Sequence, residues 1–148
     1  MTQIPIPTAD QIRKGFDGGI NCAQQVAGTC AQVLGRDRDD VVRMAAAFGG
    51  GFWRGDNCGA VCGAMMAIGM KYGHCNPGDD EASDMVMAKT KEFADAFIGR
   101  NGSLACRDLV QYDFRQEGEL DKAFESGRID EFCPKMVQDA LEILEKIL

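Results

Sequence analysis

The chain has 148 residues, enough for one domain with a hydrophobic core, and 45% of them are apolar. Its net charge is −7 and no basic run exceeds two residues, which argues against nucleic acid and anionic membrane surfaces as partners. No stretch approaches the ~18 apolar residues that a membrane span needs, and Met1 to Asp10 is polar with two prolines and no apolar signal region, so a cytoplasmic protein is expected.

In chain order, Thr8 and Gln11 have capping-box spacing and predict a short helix ending near Phe16, broken by Gly18 and Gly19. Asn21 is a favoured cap, and Cys22 follows it at the start of a second helix. Ala23, Val26, Ala27, Cys30, Val33 and Leu34 recur there at helix period, up to Gly35. Asp37 to Asp40 places negative charge at the start of a third helix, with Val41, Val42, Met44, Ala45 and Phe48 as its buried face.

Gly49 to Gly63, GGGFWRGDNCGAVCG, is the stretch on which the functional reading rests. Gly49, Gly50 and Gly51 stop the third helix, and such a loop can leave N–H groups free for an anion or for sulfides. Gly50 and Gly51 are therefore candidate cofactor contacts. Phe52 and Trp53 are expected to cover a site. Arg54 is either a third contact, stabilising a thiolate or an anion, or the ion-pair partner of Asp56. Asn57 reads as the cap of a fourth helix that carries Cys58 in its first turn and Cys62 one turn on. Gly59, Ala60, Gly63 and Ala64 keep this helix thin, so another backbone can approach. It is apolar nearly all round to Tyr72, the mark of a central core helix.

His74 and Cys75 follow in a turn, where adjacent residues rarely share a metal. Asp79 to Glu81 opens a long helix to Ile98, with Ala82, Met85, Val86, Phe93, Ala96 and Phe97 on one face. Ser103 is read as a cap with Cys106 three residues on, and Leu109, Val110 and Tyr112 packing inward. Gln116 to Asp130, polar and glycine-punctuated, is expected to be flexible, tacked down by Leu120 and Phe124. Cys133-Pro134 is read as the start of the last helix, with the cysteine as cap. The expectation is an all-α single domain, residues 1–148, of about six or seven helices around a four-cysteine site, without strands, repeats or linkers.

Seven cysteines are too many for chance usage and odd in number. In a reducing compartment they point to metal binding or redox chemistry rather than disulfide staples. Cys30 and Cys75 are read as small buried hydrophobes. Cys22, Cys58, Cys106 and Cys133 share a different placement, each in the first turn of a predicted helix, where the dipole lowers a thiol pKa. Four such thiols make one site if the helix starts converge.

These same residues carry a family resemblance. Cys58-Gly59-Ala60-Val61-Cys62-Gly63 matches CGAxxG, and Cys22, Cys106 and Cys133 stand in order around it with their flanking residues. From about Phe16 to the C-terminus the chain resembles the family of redox-active proteins named after a C_GCAxxG_C_C pattern. That family is related to the iron–sulfur domain of the split-Soret cytochromes. The resemblance implies a redox site on the four cysteines, and no CxxCH motif is present to hold haem.

Three chemistries compete for that site. Four thiolates could hold a [2Fe–2S] cluster for electron transfer, the reading favoured mainly through the resemblance. A metal-free dithiol–disulfide cycle could pair Cys58 with Cys22 or Cys133, with Cys62 as candidate resolving thiol. A structural zinc comes last, because the spacings of 36, 48 and 27 residues contain no CxxC knuckle. A structural helical protein with buried thiols stands outside all three. One histidine in a turn and no nucleophile elbow leave hydrolytic catalysis without an anchor. The redox partner is unknown, and a homodimer is the assembly left to test.

Overall fold

The computed structural model describes residues 2–148; Met1, the first residue of the segment read for a signal, lies outside the described residues. Eight α-helices follow in order, and among the described residues there is no strand. They are α1 (Ala9–Asp17), α2 (Cys22–Val33), α3 (Arg38–Ala45), α4 (Gly59–Tyr72), α5 (Asp80–Asn101), α6 (Cys106–Val110), α7 (Glu119–Glu125) and α8 (Arg128–Ile147). Reciprocal capping boxes start α1 at Thr8 and Gln11 and α2 at Asn21 and Gln24, while Asp37 and Asp79 cap α3 and α5.

Helix α4 runs through the middle, packed on α2, α5 and α8. Its apolar character all round requires neighbours on every side. The closest is α2: a Cβ at Gly63 would lie 2.7 Å from the Ala23 carbonyl oxygen, so the thin face brings the two backbones together. The α8 stripe of Met136, Val137, Ala140, Leu141 and Leu144 is buried as its period predicts, and α5 adds the stacked, fully buried pair Phe93 and Phe97. Cys30 is buried in this core.

Several expectations fail. Met44, Met85 and Ala96 are exposed, because α3 and α5 lie at the surface and bury narrower stripes than their apolar content suggests. Cys75 is also exposed, in the loop after α4, and is not core packing. Gln116 to Asp130 holds α7 instead of a flexible run. Helix α8 starts at Arg128 rather than at Cys133, because Gly127 provides a left-handed start and Asp130 and Glu131 suit the first turn. Ile129 and Phe132 extend the apolar stripe backwards. Pro134 then sits inside the helix and cannot donate to the Asp130 carbonyl four residues back. Arg13 Nε donates to that oxygen instead, at 2.7 Å.

Candidate functional site

The turn between α3 and α4 is left-handed. Gly50, Gly51, Phe52 and Trp53 have φ of 59°, 60°, 60° and 57°. Glycine adopts this freely, but each bulky residue pays about 1–2 kcal/mol. The Trp53 N–H donates to Gly49 O at 3.0 Å and the Asp56 N–H to Gly51 O at 3.1 Å, closing the turn. At Gly51 a Cβ would lie 2.6 Å from the Asp56 carbonyl oxygen. The strained residues hold their rings outward, each 43% exposed, with Phe52 edge-on to Phe48. Trp53 lines the cavity behind the turn; Phe52 does not.

Cys58 and Cys106 are brought side by side by a single antiparallel bridge between Asn57 and Ala105. The Cys58 N–H donates to Leu104 O at 2.7 Å and the Cys106 N–H to Asp56 O at 2.6 Å. This bridge takes Asn57 out of the capping position: Cys58 itself is the N-cap of α4 and Asn57 is exposed. Ala105, not Ser103, precedes α6, and Ser103 Oγ accepts from the Ala105 N–H at 3.0 Å. Cys22 and Cys106 each open a helix. Cys133 lies inside α8, so the shared first-turn rule holds for three of the four only loosely and fails for the fourth.

Arg128 ties α6 to α8. Its guanidinium donates to Leu109 O at 2.8 Å and Val110 O at 3.3 Å, and stacks 4.1 Å from the Phe132 ring centre. Sequence reading missed this residue, since nothing local marks an arginine as the cap of another helix.

Cys22, Cys58, Cys106 and Cys133 all line one cavity of about 120 Å³. Its other walls are apolar, with Phe16, Trp53, Leu109, Leu120, Phe124 and Met136 among them. Cys58 and Cys106 are buried, Cys22 and Cys133 half-buried. Gly50 lines the cavity, whereas Gly51 and Arg54 do not. Arg54 turns to Asp56, 3.6 Å away, and so does not contact the thiols. Cys62 also stands off the cavity wall, with Sγ 3.7 Å from Asn57 O.

The electrostatics reverse an expectation. Burial pushes the thiols up, Cys106 to about 12 and Cys62 to about 11, and raises Cys22, Cys58 and Cys133 as well. The charges of the other three oppose ionisation of Cys58. Helix starts do not win here, because desolvation of four neighbouring thiols outweighs the dipole. Ionising them together requires positive charge in the cavity.

All seven cysteines are free thiols. Among the described residues no group of three histidine, cysteine or carboxylate side chains is gathered to hold a metal ion as it stands. A single zinc, with Zn–S bonds of about 2.3 Å, draws its sulfurs to roughly 4 Å from one another. A [2Fe–2S] cluster takes two thiolates on each of its two irons, and four cysteines lining one cavity are a donor set of that kind.

The family described as "Putative redox-active protein (C_GCAxxG_C_C)" matches residues 20–147. The chain belongs to this family. No curated protein and no solved structure matches it. The family pattern thus spans α2 to α8 and contains all four cavity cysteines. No helix among the described residues is long and apolar enough to cross a membrane.

Proposed function

We propose that this family member is an electron carrier whose Cys22, Cys58, Cys106 and Cys133 bind a [2Fe–2S] cluster. The carrying observation is that four cysteines, 36, 48 and 27 residues apart, line one cavity. A cluster would supply the cationic charge that lets the buried thiols ionise, with release of their protons, and one-electron chemistry between two iron oxidation states.

The chain's own residues do the rest. Phe16, Trp53, Leu109 and Met136 keep water from the sulfurs. Arg128 fixes Cys106 against Cys133 by joining α6 to α8. Gly50 lines the same cavity. Low exposure of the sulfurs is among the factors that set a cluster potential.

Metal and sulfide analysis of protein purified without oxygen tests this. Two irons and two sulfides per chain, with visible absorption, are expected. Colourless protein that loses two or four thiols on mild oxidation would instead establish a disulfide cycle.

A further inference from the structure

Trp53 and Phe124 both line the cysteine cavity while staying 43% and 48% exposed, so each ring stands between the thiols and solvent. Their backing differs. The Trp53 turn is closed by its own backbone hydrogen bonds, and the bridge between Asn57 and Ala105 holds the chain just beyond it. Phe124 is carried by α7, which adds Leu120 to the same wall and buries only Ala123. Among the described residues, every hydrogen bond made by residues 117–126 ends between residues 116 and 128, so none reaches α1 to α6. The ion pair of α7, Lys122 to Glu119, is internal as well.

Helix α7 is bounded by two left-handed glycines, Gly118 and Gly127, and a Cβ at either would meet no heavy atom within 4 Å. Residues 111–118 join it to α6 without helix. A segment held by apolar contacts, with few buried groups and unhindered glycines at its ends, lies at the low-stability end of a fold and opens locally. Behind it Cys58 and Cys106, each 6% exposed, form part of the cavity wall. We propose that α7 is a lid over the four-cysteine cavity. Its local opening, with Leu120 and Phe124 swinging away, is the route by which ions and small molecules reach Cys58 and Cys106. The lid goes beyond the proposed cluster and does not depend on it, because it rests on the wall of the cavity and not on what fills it.

The test is iodoacetamide labelling of full-length, metal-free protein, with initial rates read for each cysteine by peptide mass spectrometry as urea rises below the unfolding midpoint. Exposed Cys75 marks free access, and Cys30, in the core, marks global unfolding. Cys58 and Cys106 are expected to react more slowly than Cys75 and at rates nearly independent of urea, because a small opening exposes little surface. The Cys30 rate should climb steeply. Gly118→Ala should raise the Cys58 and Cys106 rates about fivefold, the strain of one left-handed alanine relieved by opening, and leave Cys30 unchanged. Urea slopes equal to that of Cys30 overturn the lid, since the thiols are then reached only by global unfolding. Flat slopes without a response to Gly118→Ala overturn it too, since access is then static or runs past the Trp53 turn. Should metal-free protein not hold its fold, hydrogen exchange of the protein as purified decides. A flat urea dependence in α7, beside a steep one in α4 and α8, upholds the lid, and a common slope overturns it. Iron and sulfide content is read separately, so the lid and the cluster fail independently.

Discussion

Between Gly49 and Gly63 a methyl group has almost nowhere to go, while at Gly118 and Gly127 it meets open space. In the first stretch a Cβ would strike the Asp56 backbone at Gly51, the Cys22 sulfur at Gly59 and the Ala23 carbonyl at Gly63. In the second, the two glycines start α7 and α8 with φ of 78° and 80°, and no heavy atom lies within 4 Å of the added carbon. Both stretches deliver cysteines to the cavity. The first uses glycine to bring backbones into contact, the second only to turn the chain.

Gly59→Ala gives the largest effect. Its methyl meets Cys22 Sγ and comes within 3.1 Å of Phe48 O, and both partners are backbone or anchored at a helix start. A loss of about 3 kcal/mol is expected in denaturant unfolding, the upper range for overpacking, with a fall in bound iron per chain. If it costs no more than a substitution at Gly127, the contrast between the two stretches is broken.

Next comes Arg128→Met, which keeps some packing on Phe132 but leaves the Leu109 and Val110 carbonyls without their charged donor. Hydrogen bonds to charged groups contribute about 1.5–3 kcal/mol, so a loss near 2 kcal/mol is expected by the same measurement. Here the second stretch gains its own contact-dependent element: the cavity end that lacks tight glycines is held by a side chain. An unchanged unfolding midpoint would remove Arg128 from that role.

The buried thiols predict a pH dependence in metal-free protein. Cys30 and Cys106 are pushed up to about 12 by burial, from an ordinary value of 9.0. Below 9 both folded and unfolded states keep the proton, so stability is flat. Between 9 and about 12 the unfolded chain loses protons that the folded chain holds, so stability falls as pH rises, by about 1.4 kcal/mol per pH unit for each such thiol. Cys30→Val, in the core and away from the cavity, should make the decline shallower by one thiol. A slope equal to the wild type would mean that Cys30 ionises freely in the fold.

Much of this was legible in the chain. Periodicity revealed α2 and the α8 stripe because one buried face repeats apolar residues every three or four positions, and apolar character all round revealed α4 as a central helix. Thr8 and Asn21 marked helix starts because their side chains close a local ring of hydrogen bonds, and the charged runs from Asp37 and Asp79 marked two more by their charge, where the structure adds a cap. The four cavity cysteines were legible from the resemblance; the expected first-turn placement held loosely for Cys22, Cys58 and Cys106 and failed for Cys133, which lies inside α8. What failed depended on distant partners. Asn57 had the chemistry of a cap, but Ala105, far along the chain, paired its backbone. Pro134 read as a helix start, but Arg13 supplied a donor for the carbonyl it leaves free. The left-handed Phe52 and Trp53 follow no local preference at all.

The smallest effects should come from Gly118→Ala and Gly127→Ala. With nothing nearby for the methyl to strike, each substitution bears only the left-handed torsion, about 1 kcal/mol. Helix α7 contributes one buried residue, Ala123, so strain at Gly118 can be relieved by local fraying with Leu120 and Phe124 lifting from the cavity wall. Gly127 starts α8, whose stripe anchors the core, so its strain should appear in full in the global unfolding free energy. Amide hydrogen exchange separates the two: Gly118→Ala should speed exchange in α7 alone, whereas Gly127→Ala should lower protection throughout the core. Equal, global loss in both variants would mean that α7 unfolds only with the rest of the molecule, and that the second stretch is held as tightly as the first.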